Sequence, residues 1–138
     1  MSPQPKDVFR QAIDHLLAKD MNAFTDLYAE DAVMEFPFAP PGRPQRLDGR
    51  EAVRAYLADY PDLIDVQRVY DLDVHETTDP AVIVAEFAAG GRVVATGTAY
   101  TARYIAVLTV TGGLIRHYRD YWNPLALGDV PVGRGAAA

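Results

Sequence analysis

The sequence contains no cysteine, and this absence excludes disulfide bonds, thiolate metal sites and thiol redox chemistry. Histidine is scarce, with three residues spread along the chain at no spacing typical of metal ligands. Glycine-rich nucleotide-binding motifs and a Gly-x-Ser-x-Gly elbow are missing as well. We therefore predict neither a metal nor another cofactor.

The sequence also has few positively charged residues and few long apolar runs. There are 13 Lys and Arg against 19 Asp and Glu, a formal net charge of −6, and the basic residues occur singly. A nucleic-acid backbone needs a stripe of positive charge, so nucleic acid is not expected as a partner. No window approaches about 18 uninterrupted apolar residues, and the N-terminus lacks the basic start and apolar run of a signal peptide. We expect a cytoplasmic protein without membrane association.

Hydrophobic residues make up 49% of the 138-residue chain and charged residues 23%, a composition typical of a soluble globular protein. A chain of this length builds one hydrophobic core. We therefore predict a single domain over residues 1–138, with flexible ends at 1–5 and 128–138.

Three helices are predicted in the first half of the chain. Apolar residues recur at three- and four-residue spacing over about 6–18, which indicates an amphipathic helix. Asp20 is a suitable N-cap for a short second helix, which the Glu30–Asp31 pair would close. The third helix begins after Gly49 and ends before Pro61, because a residue that precedes proline disfavours helix.

Strand patterns dominate the second half of the chain. An earlier strand covers residues 32–38, with Pro37 restricting it to an edge, and the Pro-rich segment 39–48 is predicted to be a loop. The later runs cover about 66–76, 81–89, 98–111 and 113–122, separated by Asp79–Pro80, Gly90–Gly91 and Gly112–Gly113. We predict an α+β fold, with three N-terminal helices on the concave face of a strongly curved, mostly antiparallel sheet that encloses an apolar pocket.

Four short segments resemble one known superfamily. They are LYAEDAV at 27–33, GREAV at 49–53, YIAV at 104–107 and DYWNP at 120–124. With the element order, they make residues 5 to 127 resemble the nuclear transport factor 2-like (NTF2-like) superfamily, in particular SnoaL-like polyketide cyclases and phenazine-biosynthesis A/B proteins. The resemblance implies a cone-shaped domain around a pocket, and a homodimer through the exposed sheet face.

Ketosteroid isomerases belong to the same superfamily, but their three functional groups have no counterparts in this sequence. Aligned on the first strand and the last hairpin, the carboxylate base position falls on Phe36. The tyrosine position falls on Ala12 and the position of the protonated aspartate on Ala106. Without a base and an oxyanion donor at these places, that isomerase mechanism is rejected.

The same alignment predicts which strand faces look into the pocket, because alternate residues of a strand share a face. Arg103, His117 and Arg119 then point away from it. The predicted pocket residues on the strands are Met34, Phe36, Phe38, Tyr100, Ala102, Tyr104, Ala106, Leu108, Leu114, Tyr118, Asp120 and Trp122.

Asp120 is the candidate catalytic residue, at a position where SnoaL-like cyclases and phenazine-type proteins often have an acid or base. Between Tyr118 and Trp122 its carboxyl would be desolvated and its pKa raised, as proton transfer near neutral pH requires. The alternative is that Asp120 forms a structural salt bridge with an arginine across the sheet.

Tyr56 and Tyr60 are the candidate binding residues outside the strands. They are predicted one turn apart on the third helix, where phenazine-type relatives carry polar ligand-contacting residues. Ordinary packing of both side chains in the core is the alternative.

The leading hypothesis is a SnoaL-like enzyme of specialised metabolism that acts on a small aromatic or polyketide-like molecule. Asp120 would move a proton during cyclisation, isomerisation or condensation. One alternative is a ligand-binding or assembly module without chemistry, in which a salt bridge holds Asp120 and the pocket is small or filled.

Epoxide opening is a further alternative, and it needs a second acidic residue beside Asp120, such as Glu35 or Glu86. Glu86 is also a candidate partner of Arg103. The homodimer implied by the resemblance would bring together the outward residues of the third long strand. These residues are Thr101, Arg103, Ile105 and Val107.

Overall fold

The structure, a computed structural model, describes residues 3–126 as helices packed on a single sheet. The helices are α1 (Pro5–Leu17), α2 (Met21–Asp26), α3 (Arg50–Leu57), α4 (Tyr60–Leu63) and a final 3-10 turn (Pro124–Ala126). The strands are β1 (Tyr28–Glu35), β2 (Arg46–Asp48), β3 (Ile64–Glu76), β4 (Val82–Val93), β5 (Ala99–Thr111) and β6 (Leu114–Trp122). The expected flexible segment 128–138 lies outside the described residues.

The α+β class is confirmed, with one six-stranded sheet in the order β2-β1-β6-β5-β4-β3. The strands from β3 to β6 form the predicted antiparallel meander, whereas β1 pairs in parallel with β6. This parallel pair places β1 beside the last strand, so residues far apart in the sequence lie side by side in the sheet. In the described part of the chain, no helix has the length and apolar character needed to cross a membrane.

The first two helices begin where the sequence predicts, but the second ends earlier. The side chain of Asp20 accepts a hydrogen bond from the backbone N–H of Ala23 at 3.0 Å, as an N-cap does. The prediction that Glu30–Asp31 closes α2 is wrong. Tyr28 already begins β1, because its ring is fully buried and its backbone pairs with Ile115 of β6.

The predicted third helix is two helices with a break between them. α3 ends at Leu57, and α4 begins at Tyr60 with Pro61 in its first turn. Proline is tolerated there because the first N–H groups of a helix have no partner within the helix. Tyr56 and Tyr60 therefore lie on different helices, not one turn apart on the same helix.

Two segments that the sequence predicts to be a loop and a turn belong to strands in the structure. Arg46–Asp48, within the predicted loop 39–48, pairs with β1 as β2. Gly90 and Gly91 do not form a turn but lie inside β4. A Cβ on Gly91 would lie 1.8 Å from the backbone oxygen of Asp65 in β3, so the glycine permits a close approach of two strands. The turn predicted at Gly112–Gly113 is confirmed, with positive φ at both residues.

The helices cover one face of the sheet, and strand alternation holds through β5. Tyr100, Tyr104 and Leu108 are buried, whereas Arg103 and Ile105 between them are exposed. The alternation does not extend to the end of the first predicted strand. The prediction that Phe38 faces the pocket is wrong, because β1 ends at Glu35 and the chain then turns, leaving Phe38 58% exposed against the ring of Tyr121.

Candidate functional site

A cavity of about 50 Å³ lies between the helices and the inner face of the sheet. Its wall is apolar apart from one carboxyl group and the hydroxyls of three tyrosines. The residues that line it are Phe9, Ala12, Ile13, Leu16, Met21, Phe24, Met34, Leu57, Tyr60, Val66, Phe87, Ala89, Tyr104, Tyr118 and Asp120. Helices α1 and α2 supply much of this wall, and its polar groups come from β5, β6 and the first residue of α4.

Asp120 contributes the carboxyl group of this wall. It lies on β6 opposite Ala106 of β5, and the residue is 5% exposed. Within residues 3–126 no lysine, arginine or histidine forms an ion pair with it. Burial in apolar surroundings disfavours the charged form and raises the pKa of Asp120 to about 7. Both protonation states of this carboxyl are therefore populated near neutral pH.

Four tyrosines lie within electrostatic range of Asp120. Burial raises the pKa of Tyr28 and Tyr118 well above the usual value, and the negative charge of Asp120 raises each further. The same two causes raise the pKa of Tyr100, and burial is also the largest cause for Tyr60. These phenols keep their protons at neutral pH and can act as hydrogen-bond donors.

Aromatic contacts fix the side walls of the cavity. The ring of Tyr118 stacks on that of Tyr28 with 6.2 Å between centroids. On the other side, Phe87 contacts Tyr104 at 5.2 Å and Phe9 of α1 at 5.7 Å. Such pairs hold ring orientations beyond what burial alone provides, so the wall around the carboxyl is preorganised.

The predicted site residues fall into three groups in the structure: those that line the cavity, those that are buried elsewhere, and the exposed Phe38. Asp120, Met34, Tyr60, Tyr104 and Tyr118 line the cavity. The others, apart from the exposed Phe38, are buried without lining it. These buried residues are Phe36, Tyr56, Tyr100, Ala102, Ala106, Leu108, Trp122 and, in part, Leu114. The Tyr100 hydroxyl is hydrogen-bonded to that of Tyr104 and so connects with the wall.

Several residues of the cavity wall are not among the site residues predicted from the sequence. Phe9, Ile13 and Leu16 belong to the apolar stripe of α1, which signals burial but not contact with a cavity. Met21 of α2 carries no motif at all. Tyr28 does not line the cavity, but the negative charge of Asp120 contributes to its raised pKa. The sequence predicts Tyr28 within the second helix, because β1 is predicted to start only at Ala32.

The positions that carry the isomerase groups remain apolar in space. Ala12 lines the cavity, and Ala106 is fully buried directly across from Asp120. Phe36 is buried and packs against Tyr56 at 5.6 Å. Nothing at these three positions can take or donate a proton, which agrees with the rejection of that mechanism.

The other carboxylates considered as partners of Asp120 lie on the opposite face of the sheet. Glu35 follows the cavity residue Met34 and pairs with His117. Glu86 accepts a hydrogen bond from His75 at 2.8 Å. The epoxide mechanism therefore lacks its second acid among the described cavity residues.

The predicted pairing of Glu86 with Arg103 is wrong, since Arg103 contacts Asp71 at 3.3 Å. Glu86 and His75 instead form a group with Asp73, whose donor atoms lie within 4.8 Å of one another. Three such donors can hold a cation, but all are largely exposed and are separated from the cavity by the sheet.

Comparisons with known proteins agree with the fold. A family model described as a SnoaL-like domain matches residues 9–118. An uncharacterized PhzA/B-like protein of Pseudomonas aeruginosa is 36% identical over 129 residues, which cover 91% of this chain and 91% of that protein.

Two solved structures resemble the whole described domain. A Bacillus subtilis protein, provisionally assigned as an isomerase, has 39% identity and a TM-score of 0.87, with 90% of this chain and 89% of that chain covered. A Mycobacterium tuberculosis protein in complex with estradiol-17β-hemisuccinate shares the fold at 21% identity and a TM-score of 0.76, with 90% and 97% covered. The family-model match over residues 9–118, together with the 36% identical Pseudomonas protein, shows that the chain belongs to the SnoaL-like domain family.

Proposed function

We propose that this protein is an enzyme of specialised metabolism that binds a small apolar or aromatic molecule and moves a proton during its cyclisation, isomerisation or condensation. Asp120 is the proposed acid or base. The observation that carries the proposal is a buried carboxyl group in an apolar cavity, with a pKa of about 7. A group with this pKa combines an adequate population of each protonation state with a useful driving force for proton transfer.

The tyrosine hydroxyls around the cavity complete the proposed chemistry. Proton removal next to a carbonyl places negative charge on its oxygen, and donors fixed around that oxygen stabilise the charge. Tyr60, Tyr104 and Tyr118 line the cavity with Asp120. We propose that these phenols orient the substrate, with Tyr100 supporting Tyr104 through their hydrogen bond.

A second candidate is a ligand-binding or assembly module without chemistry. The cavity volume favours it, because about 50 Å³ is far below the roughly 300–1,000 Å³ typical of small-molecule sites. The surroundings of Asp120 count against this candidate. A structural role predicts a salt bridge to Asp120, and no described residue forms one. The complexed M. tuberculosis relative is compatible with either candidate.

A model reaction tests whether Asp120 works as a base in this cavity. The probe is 5-nitrobenzisoxazole, a flat aromatic molecule whose ring opens to a coloured phenolate when a base removes its carbon-bound proton. We expect kcat/KM to rise with pH through an apparent pKa near 7 and then level off. Asp120→Asn should lower kcat/KM by about 100-fold or more.

The matched control removes a carboxylate from the opposite face of the same sheet. Glu35→Gln should keep both the rate and the pH profile, because Glu35 does not reach the cavity. Equal kcat/KM values for Asp120→Asn and the unaltered protein would contradict the proposed catalytic role of Asp120. Binding of the probe without turnover in the unaltered protein would favour the ligand-binding module.

We also propose a homodimer through the outer face of the sheet. On this face Ile105 is 42% exposed, and Phe38 is 58% exposed beside a surface groove of about 370 Å³. Arg103 lines the same groove, so the surface mixes apolar and charged groups. Exposed apolar patches with a polar surround are typical of protein interfaces.

A further inference from the structure

A surface groove lies next to the cavity, and the two spaces share one described lining residue. The groove has a volume of about 220 Å³ and lies between the α1–α2 connection and the α3–α4 break. Its lining residues are Lys19, Asp20, Met21, Asn22, Arg54, Ala58 and Pro61. Within residues 3–126, Met21 is the one residue that lines both the groove and the cavity.

The cavity is too small for an aromatic ligand unless part of its wall moves. About 50 Å³ holds water molecules or a few heavy atoms, not an aromatic ring system. If the Met21 side chain swings aside, the cavity joins the groove and the space approaches the range of ordinary small-molecule sites.

Met21 is suited to such movement. It is the first residue of α2, a helix of six residues, and its side chain is 8% exposed. An unbranched methionine side chain adopts alternative conformations at lower cost than a β-branched or aromatic one. Leu57 and Tyr60, which line the cavity, are sequence neighbours of the groove residues Ala58 and Pro61.

Lys19 holds the segment that carries Met21 against the opposite rim of the cavity. Its Nζ lies 2.8 Å from the carboxylate of Asp65 and donates a hydrogen bond to the Val66 carbonyl at 3.2 Å. Val66 lines the cavity, so this contact bridges the helix connection and β3 at the cavity wall. Lys19 itself has a φ of 62°, a left-handed conformation that an isolated lysine rarely adopts.

We propose that Met21 is the gate of the cavity and that the Lys19–Asp65 ion pair is the latch that keeps the gate closed. The proposal rests on the proposed use of the cavity for a ligand. A ligand then enters from the groove past Met21, and the size of this side chain limits what can enter. Met21 is thereby a specificity-determining residue, although it does not touch Asp120 in any described contact.

The absence of cysteine permits a test that needs no ligand. Ala12→Cys places a single thiol in the cavity wall, at a position that is 1% exposed. The rate at which N-ethylmaleimide labels this thiol under native conditions measures how often the cavity opens. Ala89→Cys, also in the wall and 3% exposed, serves as a second reporter if the first variant folds poorly.

Two methionine variants in the reporter background separate a gate from a simple enlargement of the cavity. Met21→Ala should raise the labelling rate about tenfold or more, because it removes the proposed gate. Met34→Ala removes the same side chain from the deep wall, where Met34 is 2% exposed, and should change the rate by less than about twofold. If global unfolding controlled labelling, the more buried Met34 would give the larger effect. Equal acceleration by both variants overturns the proposal.

Two ion-pair variants test the latch. Lys19→Met should accelerate labelling by about threefold, the size of effect that a partly exposed ion pair can supply. Arg103→Met breaks the exposed Arg103–Asp71 pair on the other face and should leave the rate unchanged. Equal labelling rates for these two variants would contradict the proposed role of the Lys19–Asp65 ion pair. Neither measurement involves Asp120 or turnover, so a failure here is distinct from a failure of the proposed catalysis.

Discussion

At the residue scale, the carboxyl group of Asp120 makes the stability of the fold depend on pH. Its pKa of about 7 in the folded chain lies above the roughly 3.9 of an aspartate in an unfolded chain. Between these values the unfolded state loses its proton first, while the folded state keeps it. The contribution of Asp120 to stability is therefore complete below about pH 4 and is lost as the pH rises through 7.

Asp120→Asn should remove this pH dependence, because the amide has nearly the same shape and does not ionise. We expect the free energy of unfolding of the unaltered protein, relative to the variant, to fall by up to about 4 kcal/mol between pH 4 and pH 7. Urea unfolding at a series of pH values measures the difference.

Glu76→Gln, which neutralises an exposed carboxylate on β3, provides the control for this experiment. Its free energy of unfolding should vary with pH in the same way as that of the unaltered protein. If Asp120→Asn also showed the same pH dependence of the free energy of unfolding as the unaltered protein, the Asp120 carboxyl would be solvated in the folded chain. The pKa assigned to it would then be wrong.

The inward direction of Asp120 was predictable from sequence, whereas that of Phe38 was not. Alternation fixes the face of a residue only while the strand continues, and β6 is regular around Asp120. Phe38 lies beyond the end of β1, where the turn geometry decides its direction. The volume of the cavity was also beyond prediction, because it depends on how the side chains of α1 and α2 fill the space above the sheet.

At the element scale, Gly91 controls how closely β3 and β4 approach. The register shifts between Val66 and Arg68, and the backbone of Asp65 occupies the space where a side chain at residue 91 would lie. Val66 and Asp65 are also the rim residues that meet Lys19. The glycine therefore supports the cavity wall without touching the cavity.

Gly91→Ala should lower the free energy of unfolding by about 3 kcal/mol or more, because backbone atoms must shift to admit the new methyl group. Gly90→Ala is the matched control in the same strand. Its methyl group meets the mobile end of the Arg68 side chain, so a change within about 1 kcal/mol is expected. Denaturant unfolding distinguishes them, and similar losses for both would contradict the close approach.

The elements that sequence analysis placed correctly have strong local signals, and those that it missed depend on contacts. The stripe of α1 and the cap at Asp20 act within one helix. By contrast, the Gly90–Gly91 pair is typical of a turn in the sequence. Only the close approach of β3 shows why glycine occurs inside a strand at residue 91. Pro61 is equally ambiguous, since proline both ends one helix and fits the first turn of the next.

At the scale of the whole molecule, the proposed dimer predicts a concentration-dependent mass. Ile105→Asp should convert a dimer to a monomer at micromolar concentration, because a carboxylate would be desolvated in the interface. Val94→Asp, at a 50% exposed position in the β4–β5 turn, should leave the mass unchanged. Light scattering measures both, and a monomeric unaltered protein would rule out the dimer.

The parallel pairing of β1 with β6 also decides when the site can form during folding. Met34 and Tyr118 are register partners in this pair, yet more than half of the chain separates them. Closing such a long loop is slow, whereas the hairpins from β3 to β5 form from near neighbours. A nascent chain can therefore build most of its sheet early. The cavity, and the environment that shifts the pKa of Asp120, arise only when the last strand docks beside the first.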